Sequence, residues 1–520
     1  MKIKIGLTAS SSGWEQLLLQ EGVPFGLIGK PSGSLREQFS VIVVNGILNG
    51  PEREVIEEFL RHGGAVIGSA MYMQGVGKTQ YRKEKISYLL PEGANALPGF
   101  SLLDLDVNGV IPREANQVRT DQNTFCVFAG PLCGGLAIIL PFDPGDAMGD
   151  ARATNRNFHA MRDRLPSEHV SLVSKGEVRQ LVHGGLEFLH HERGLPYVHL
   201  WYFPDGFENV FAFRLDTDAS PRAWIDETYS VSRDYGIGFT WYLDVASHEG
   251  WVSHFGKLAG QEIGIHCYAH TVGKTREAIR EDLTRALHVV REEGLKPHGI
   301  AAPYGIWTPA LAGVVQDLGF FYSSEFSYAY DSLPLFPEAD GRVFPTLQVP
   351  VHPVCIGSLA RVGYSADQMR QYYRAVVQQK LLRHEPLFFY HHPAQRHAEV
   401  VRSLLDDVTS RAIPSMTLGE FAFWWIERLQ TRFEANVDGK NLRLDAISDR
   451  GPSGTRGCLR ISRPDGMEAR VPITSTFSAD AVTWRERKPF VVPPDIRRIR
   501  EFDPRRVLGD LYTTMIRKLR

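Results

Sequence analysis

Seven short apolar runs after residue 206 constrain this chain more than any other feature: "VFAFRLDTD", "GIGFTWYLDV", "EIGIHCYAH", "HGIAAPYG", "GFFYSSEF", "LQVPVHPV" and "PLFFYHHP". Each is of strand length, and most are separated by a helical pattern such as "TREAIREDLTRALHVVREEG". Strands alternating with helices require a parallel sheet, because a parallel partner is reached only through a long crossover. Seven such units predict a (β/α) barrel, incomplete or distorted. Polar and titratable residues fall at the carboxyl ends of the runs, the face on which barrels of this class assemble their chemistry.

Three of those ends carry groups able to act together. In "RLDTD", period-two alternation aims Arg214, Asp216 and Asp218 at one face, so a guanidinium and two carboxylates converge. In "EIGIHCYAH", His266 and His270 stand four positions apart. A fully extended chain would separate them by roughly 13 Å, too far to share an ion. If the strand ends at His266 and the chain turns helical there, the two imidazoles become neighbours and can reach one metal. One aspartate with the two histidines then makes an Asp/His/His site, and the other carboxylate is spare as a base. "PLFFYHHP" delivers His391 and His392 to the same end, where an imidazole can give a proton to a leaving group. Cys267, beside His266, is read as a small packed side chain. His248 and His254 fall outside these stretches and receive no role.

In this order and at these intervals, "RLDTD", "HCYAH", "APYG" and "FYHHP" resemble the polysaccharide deacetylase family, the NodB homology fold also called carbohydrate esterase family four. The resemblance covers residues 206–430. It implies a distorted (β/α)7 barrel that removes acyl groups from N-acetylated sugars. Carried over residue by residue, it implies Asp216 as general base, with Asp218, His266 and His270 holding a divalent metal, commonly zinc. A backbone N–H near Tyr304 in "APYG" would help to stabilise the oxyanion. His392, which precedes Pro393, is chosen as the acid for the departing nitrogen, with His391 as its rival. The family's third motif usually begins with an arginine that contacts the catalytic acid, and this chain has Ala301 there. Arg214, on the strand face of Asp216, is expected to supply the missing charge.

Ahead of the barrel, "KIKIGLTA", "PFGLIG", "SVIVVNG" and "AVIGSA" are strand-like, and "PEREVIEEFLRHGG" has proline near its start and glycines at its end, as a helix would. With "NTFCVFAG" and "GLAIILPF" they predict an open α/β sheet domain over residues 1–205. The stretch "VIVVNGILNGPEREVIEEFLRHGGAVIGSA" resembles the class I glutamine-amidotransferase-like fold. Where an active member carries its nucleophilic cysteine, this chain has Ser69 followed by Ala70, so a binding or structural role is expected. Residues 431–520 read as a small β-rich domain, with strands at "NLRLDAI", "GCLRISR" and "EARVPI" and a closing amphipathic helix after Asp503 and Pro504.

Composition excludes several classes. At 520 residues the chain exceeds one ordinary core. Apolar and charged fractions of 43% and 23% are those of a soluble globular protein, and a formal charge of −2 leaves no nucleic-acid footprint. No run approaches the roughly 20 apolar residues of a membrane helix. Five scattered cysteines favour a reducing compartment, and "MKIKIGLTASSSGWEQLLLQ" reads as strand and helix, not as a secretion signal, so the expected location is cytoplasmic. The expected substrate is an N-acetylated saccharide or saccharide precursor. The alternatives are a non-catalytic carbohydrate-binding barrel and a glutaminase activity in the first domain. "EFSYAYDSLPLFP" and "WYFPDGF" offer rings for sugar stacking or for a core. The terminal helix suits docking on the body or on a second subunit, with peripheral contact to an anionic membrane as the minority view; the oligomeric state stays open.

Overall fold

The computed structural model describes the chain except residues 30–33, 78, 92–96, 98, 159–165, 439–440, 447–456, 474–481, 488–507 and 509–520. All seven apolar runs supply a strand: β1 (Phe211–Asp216), β2 (Thr240–Leu243), β3 (Glu262–Ile265), β4 (Gly299–Ile300), β5 (Tyr322–Ser323), β6 (Leu347–Gln348) and β7 (Leu387–His391). They pair in parallel in the order β6-β5-β4-β3-β2-β1-β7. β6 and β7 do not pair with each other, so the sheet curls into a half-barrel. Residues 349–355 cross the gap. There Val349 N donates to Ser323 O at 2.8 Å, His352 N to Phe388 O at 2.8 Å, and the Tyr390 hydroxyl to Pro353 O at 3.0 Å.

Period-two alternation sorts the side chains. Phe211, Phe213 and Leu215 of β1 face the surrounding helices and share one buried cluster with Ile225, Leu283 and Leu404. Ala212, Arg214 and Asp216 take the other face, and Arg214 and Asp216 are buried there as charges.

The first residues form a nine-stranded sheet. Phe25–Leu27, Ile5–Leu7, Val41–Val44, Ala65–Ser69 and Gly135–Leu140 lie parallel in that order. Phe125–Leu132, Gln117–Thr120, Tyr81–Leu90 and Leu103–Pro112 extend it in antiparallel fashion. The helix Gly50–Arg61 starts with a reciprocal capping box between Asn49 and Glu52 and carries Pro51 in its first turn, as the sequence punctuation indicated. Ser69, at a strand end, is buried and its hydroxyl accepts from Met71 N at 3.3 Å.

The strands after residue 431 build back onto the start of the chain. The hairpin Phe433–Asp438 with Asn441–Ala446 meets the amino terminus, where Ile3 N donates to Ala435 O at 2.8 Å. Tyr197–Leu200 pairs antiparallel with Cys458–Ser462, which pairs in turn with Met467–Pro472. Arg428, on the helix Leu418–Gln430, ties this junction by donating to the carbonyls of Leu19, Gln20, Leu200 and Trp201 at 2.8–3.1 Å. The expected C-terminal helix lies outside the described residues. Among the described residues no helix is long and apolar enough to cross a membrane.

Candidate active site

Asp216 is the last residue of β1, and Arg214 grips it from two positions back. Arg214 Nε reaches Asp216 Oδ1 at 2.7 Å and Nη2 reaches Oδ2 at 2.7 Å, a bidentate pair. The guanidinium is fully buried between the rings of Tyr242 and Tyr390, 5.3 and 5.4 Å from their centroids, and also donates to Ser324 O. Burial works against the charge of Asp216, but Arg214 outweighs it and holds the carboxyl below its ordinary range. Ala301 is buried nearby and contributes its backbone carbonyl to the site.

Asp218 reaches the same face by a turn and not by strand alternation, since β1 has ended. Its φ of 30° is left-handed, and the turn is held by Ala219 N donating to Asp244 Oδ2 at 3.2 Å. The sequence predicts a helical turn at "HCYAH"; the structure has none. Cys267 adopts a φ of 63°, and the amides of Tyr268 and Ala269 donate to the Asp282 carboxylate at 2.8 and 3.0 Å instead of entering a helix. The bend still brings the imidazoles together, with ring centroids 5.1 Å apart. Cys267 itself is buried in the core, as expected.

The protons of this cluster can be assigned from its partners. His266 Nδ1 lies 2.6 Å from Ala301 O, and because a carbonyl only accepts, Nδ1 carries the hydrogen. In the neutral ring Nε2 is then a lone pair, and it faces Asp218 Oδ1 at 3.2 Å. His270 Nε2 faces the same oxygen at 3.1 Å. Asp218 Oδ1 and His270 Nε2 are buried and have no hydrogen-bond partner. These three residues offer ligand atoms within 4.8 Å of one another, a set that a cation could join. Two imidazoles and a carboxylate are a donor set that suits zinc or a similar divalent ion with further coordination positions open. Burial opposes the charge on Asp218, but the positive charge of His392 outweighs it and keeps the carboxyl far below its usual range.

His392 Nε2 lies 3.4 Å from Asp218 Oδ2 and 3.9 Å from Asp216 Oδ2. Burial would discharge the ring, yet Asp218, Cys355 and Asp216 hold it up to about 10. His391, the rival acid, is turned away from this site. Adjacent residues at a strand end point to opposite faces, so its Nε2 meets Arg396 O at 2.8 Å, and burial beside His392 pushes it down to about 3. Tyr304 sits in the turn Pro303–Gly305 with a φ of 60°, its ring centroid 5.2 Å from that of His270.

Two buried groups escape sequence reasoning. Glu325 accepts from Ala302 N at 3.2 Å, behind the "APYG" turn, while its other oxygen is buried without a partner; burial pushes it up to about 7. Its only signal is the short "SSEF" stretch after β5. Cys355 lies in the gap-crossing segment, 3.2 Å from Ser358 Oγ and beside His392, whose charge outweighs burial and lowers the thiol. No spacing in the sequence marks it.

Residues 213–323 match the polysaccharide deacetylase family. No curated protein matches the chain by sequence. Among solved structures, the chain is similar to one assigned as a polysaccharide deacetylase from Mycobacterium smegmatis, at 17% identity and a TM-score of 0.37, over 42% of this chain and 91% of that one. It is similar to Puue allantoinase at 14% identity and a TM-score of 0.37, over 43% of this chain and 92% of that one. A family 4 acetyl xylan esterase from Clostridium thermocellum, in complex with cobalt, has 14% identity and a TM-score of 0.29, over 41% of this chain and 90% of that one.

Proposed function

We propose that the half-barrel is a metal-dependent amide hydrolase that removes the acetyl group from an N-acetylated saccharide or saccharide precursor. The observation that carries this reading is the convergence of ligand atoms from Asp218, His266 and His270 beside a carboxylate, Asp216, kept ionised by Arg214. The match of residues 213–323 to polysaccharide deacetylases supports the choice of substrate class. Asp218, His266 and His270 would hold the ion. When bound, a divalent cation supplies Lewis acidity to a water and to an amide carbonyl.

The chain's own residues do the rest. Asp216 takes the proton of the attacking water, and its pairing with Arg214 fixes which lone pair faces the substrate. The backbone N–H of Tyr304, in its left-handed turn, donates to the carbonyl oxygen as charge grows there. His392, charged at neutral pH beside two carboxylates, gives its proton to the departing nitrogen. For residues 1–205 a binding or structural role fits a buried Ser69 whose hydroxyl is engaged by Met71 N.

Acetate release from N-acetylglucosamine oligomers is the direct test. Turnover is expected to stop on chelation, return with zinc, and fall by about 10²–10⁴-fold in Asp216→Asn. Saccharide binding without acetate release in the metal-loaded protein would make the barrel a binding module instead.

A further inference from the structure

A cavity of about 260 Å³ lies outside the curled sheet, between the helix Ala366–Arg383 and the first unit of the chain. Its walls are charged, yet each charge is opposed. Arg156 pairs with Asp104 at 3.1 Å, Lys380 with Asp331 at 2.7 Å, and Arg383 with Glu177 and Glu385 at 2.7 and 2.9 Å. His352 bridges Asp331 and the Tyr372 hydroxyl, at 3.0 Å to each. An ionic ligand would therefore find no unopposed partner here, and a purely apolar one would strand these polar atoms.

What the walls do offer is a dense set of oriented donors and acceptors, and aromatic surface. Phe158 and Tyr330 meet edge to face at 5.4 Å, and Tyr372 adds a third ring. Planar polar groups beside aromatic rings match a neutral polyhydroxylated ring, whose hydroxyls are met by the former and whose C–H face is met by the latter. The volume is below the roughly 300–1,000 Å³ of pockets for drug-sized ligands, which leaves room for one sugar ring and not for a chain of them. The site is also built from both sides. Asp331 has a left-handed φ of 42°, and a Cβ placed on Gly176 of the first unit would lie 2.1 Å from the Asp331 carbonyl oxygen. Backbone held in that region by its surroundings is a recurrent property of ligand clamps.

We propose that this junction is a second saccharide-binding site, sized for one neutral pyranose and separate from the barrel mouth. The proposal stands whether or not the barrel is a hydrolase, because its readout is binding and not acetate.

The test uses the full chain, with saturation-transfer NMR of free glucose and N-acetylglucosamine, and glucuronate as an anionic control. Gln379→Trp and Ala375→Trp each put an indole into the cavity without removing an ion-pair partner. Transfer to at least one neutral sugar is expected, weakened about tenfold or more in both variants, with glucuronate failing to compete. A thermal midpoint near that of the parent shows which variant has folded, and the solvent-facing Ala375→Trp decides if Gln379→Trp has not. No transfer from either neutral sugar, transfer unchanged by the indoles, or stronger binding of glucuronate would each overturn the proposal.

Discussion

Glu21 and Asp218 are both carboxylates set among histidines, and they differ in how many donors meet their oxygens. Glu21, with no exposed side-chain surface, accepts from Arg179 Nη1 at 2.9 Å, Tyr202 Oη at 3.0 Å and Tyr197 Oη at 3.2 Å, and His183 Nδ1 lies 2.7 Å away. Asp218, with 27% of its side chain exposed, turns Oδ1 to two imidazole nitrogens with no hydrogen-bond partner, while Oδ2 lies 3.4 Å from His392 Nε2. Burial and charge are common to both regions, and both carboxyls are driven low in pKa. What separates the two carboxylates is the partners of their own oxygens: both oxygens of Glu21 meet donors, whereas Asp218 Oδ1 meets two ring nitrogens that a cation could join.

The sharpest way to break this comparison is to remove the acid in each place. Asp218→Asn is expected to abolish acetate release while the unfolding midpoint of the chelated protein stays level or rises, because it relieves a crowd of acceptors. Glu21→Gln is expected to cost about 3–5 kcal/mol in denaturant unfolding, since Arg179 is left buried without its counter-charge. Equal destabilisation by the two variants would erase the distinction.

Glu325 stands between the extremes, with one oxygen bonded and one not. It stays protonated in the folded chain up to about 7, against an ordinary 4.5. Between those values the folded chain keeps a proton that the unfolded chain releases, so stability falls as pH rises through this window, by about 3 kcal/mol in all. Glu325→Gln should flatten that part of the stability profile; an unchanged slope would assign the titration elsewhere.

Arg214 gives the proposed catalytic region a buried ion pair like that of Glu21 with Arg179. Its loss in Arg214→Ala is expected to move the acidic limb of kcat/KM to higher pH by about 1–3 units, because Asp216 loses the cation that keeps it ionised. Full turnover with an unshifted limb would end its role. The smallest effect belongs to His391→Asn, less than about tenfold in kcat/KM. A loss of about 10²-fold or more would return the acid role to His391.

Much of this contrast is legible in the letters, for identifiable reasons. The half-barrel strands are buried on both faces, so they read as apolar runs such as "LFFYH". The pairing of Arg214 with Asp216 follows from a period of two within one strand. Tyr81–Leu90 was not foreseeable in the same way: "YRKEKISYLL" alternates charge with partial burial, as an antiparallel strand with one wet side does. The bend at His266 depends on Asp282 from the following helix, a tertiary partner that no local spacing reveals. Glu325 and Cys355 join the site through β5 and the gap-crossing segment, which carry no periodic pattern to place them.

The strand Tyr197–Leu200 has a bearing on how the molecule is made. Its antiparallel neighbour, Cys458–Ser462, leaves the ribosome only after the entire half-barrel has been translated. Until then Tyr197–Leu200 presents amides and carbonyls without that partner, although Arg428, translated earlier, can already clasp its four carbonyls. Emergence of Cys458–Ser462, and not barrel completion, sets the moment at which this seam can zip.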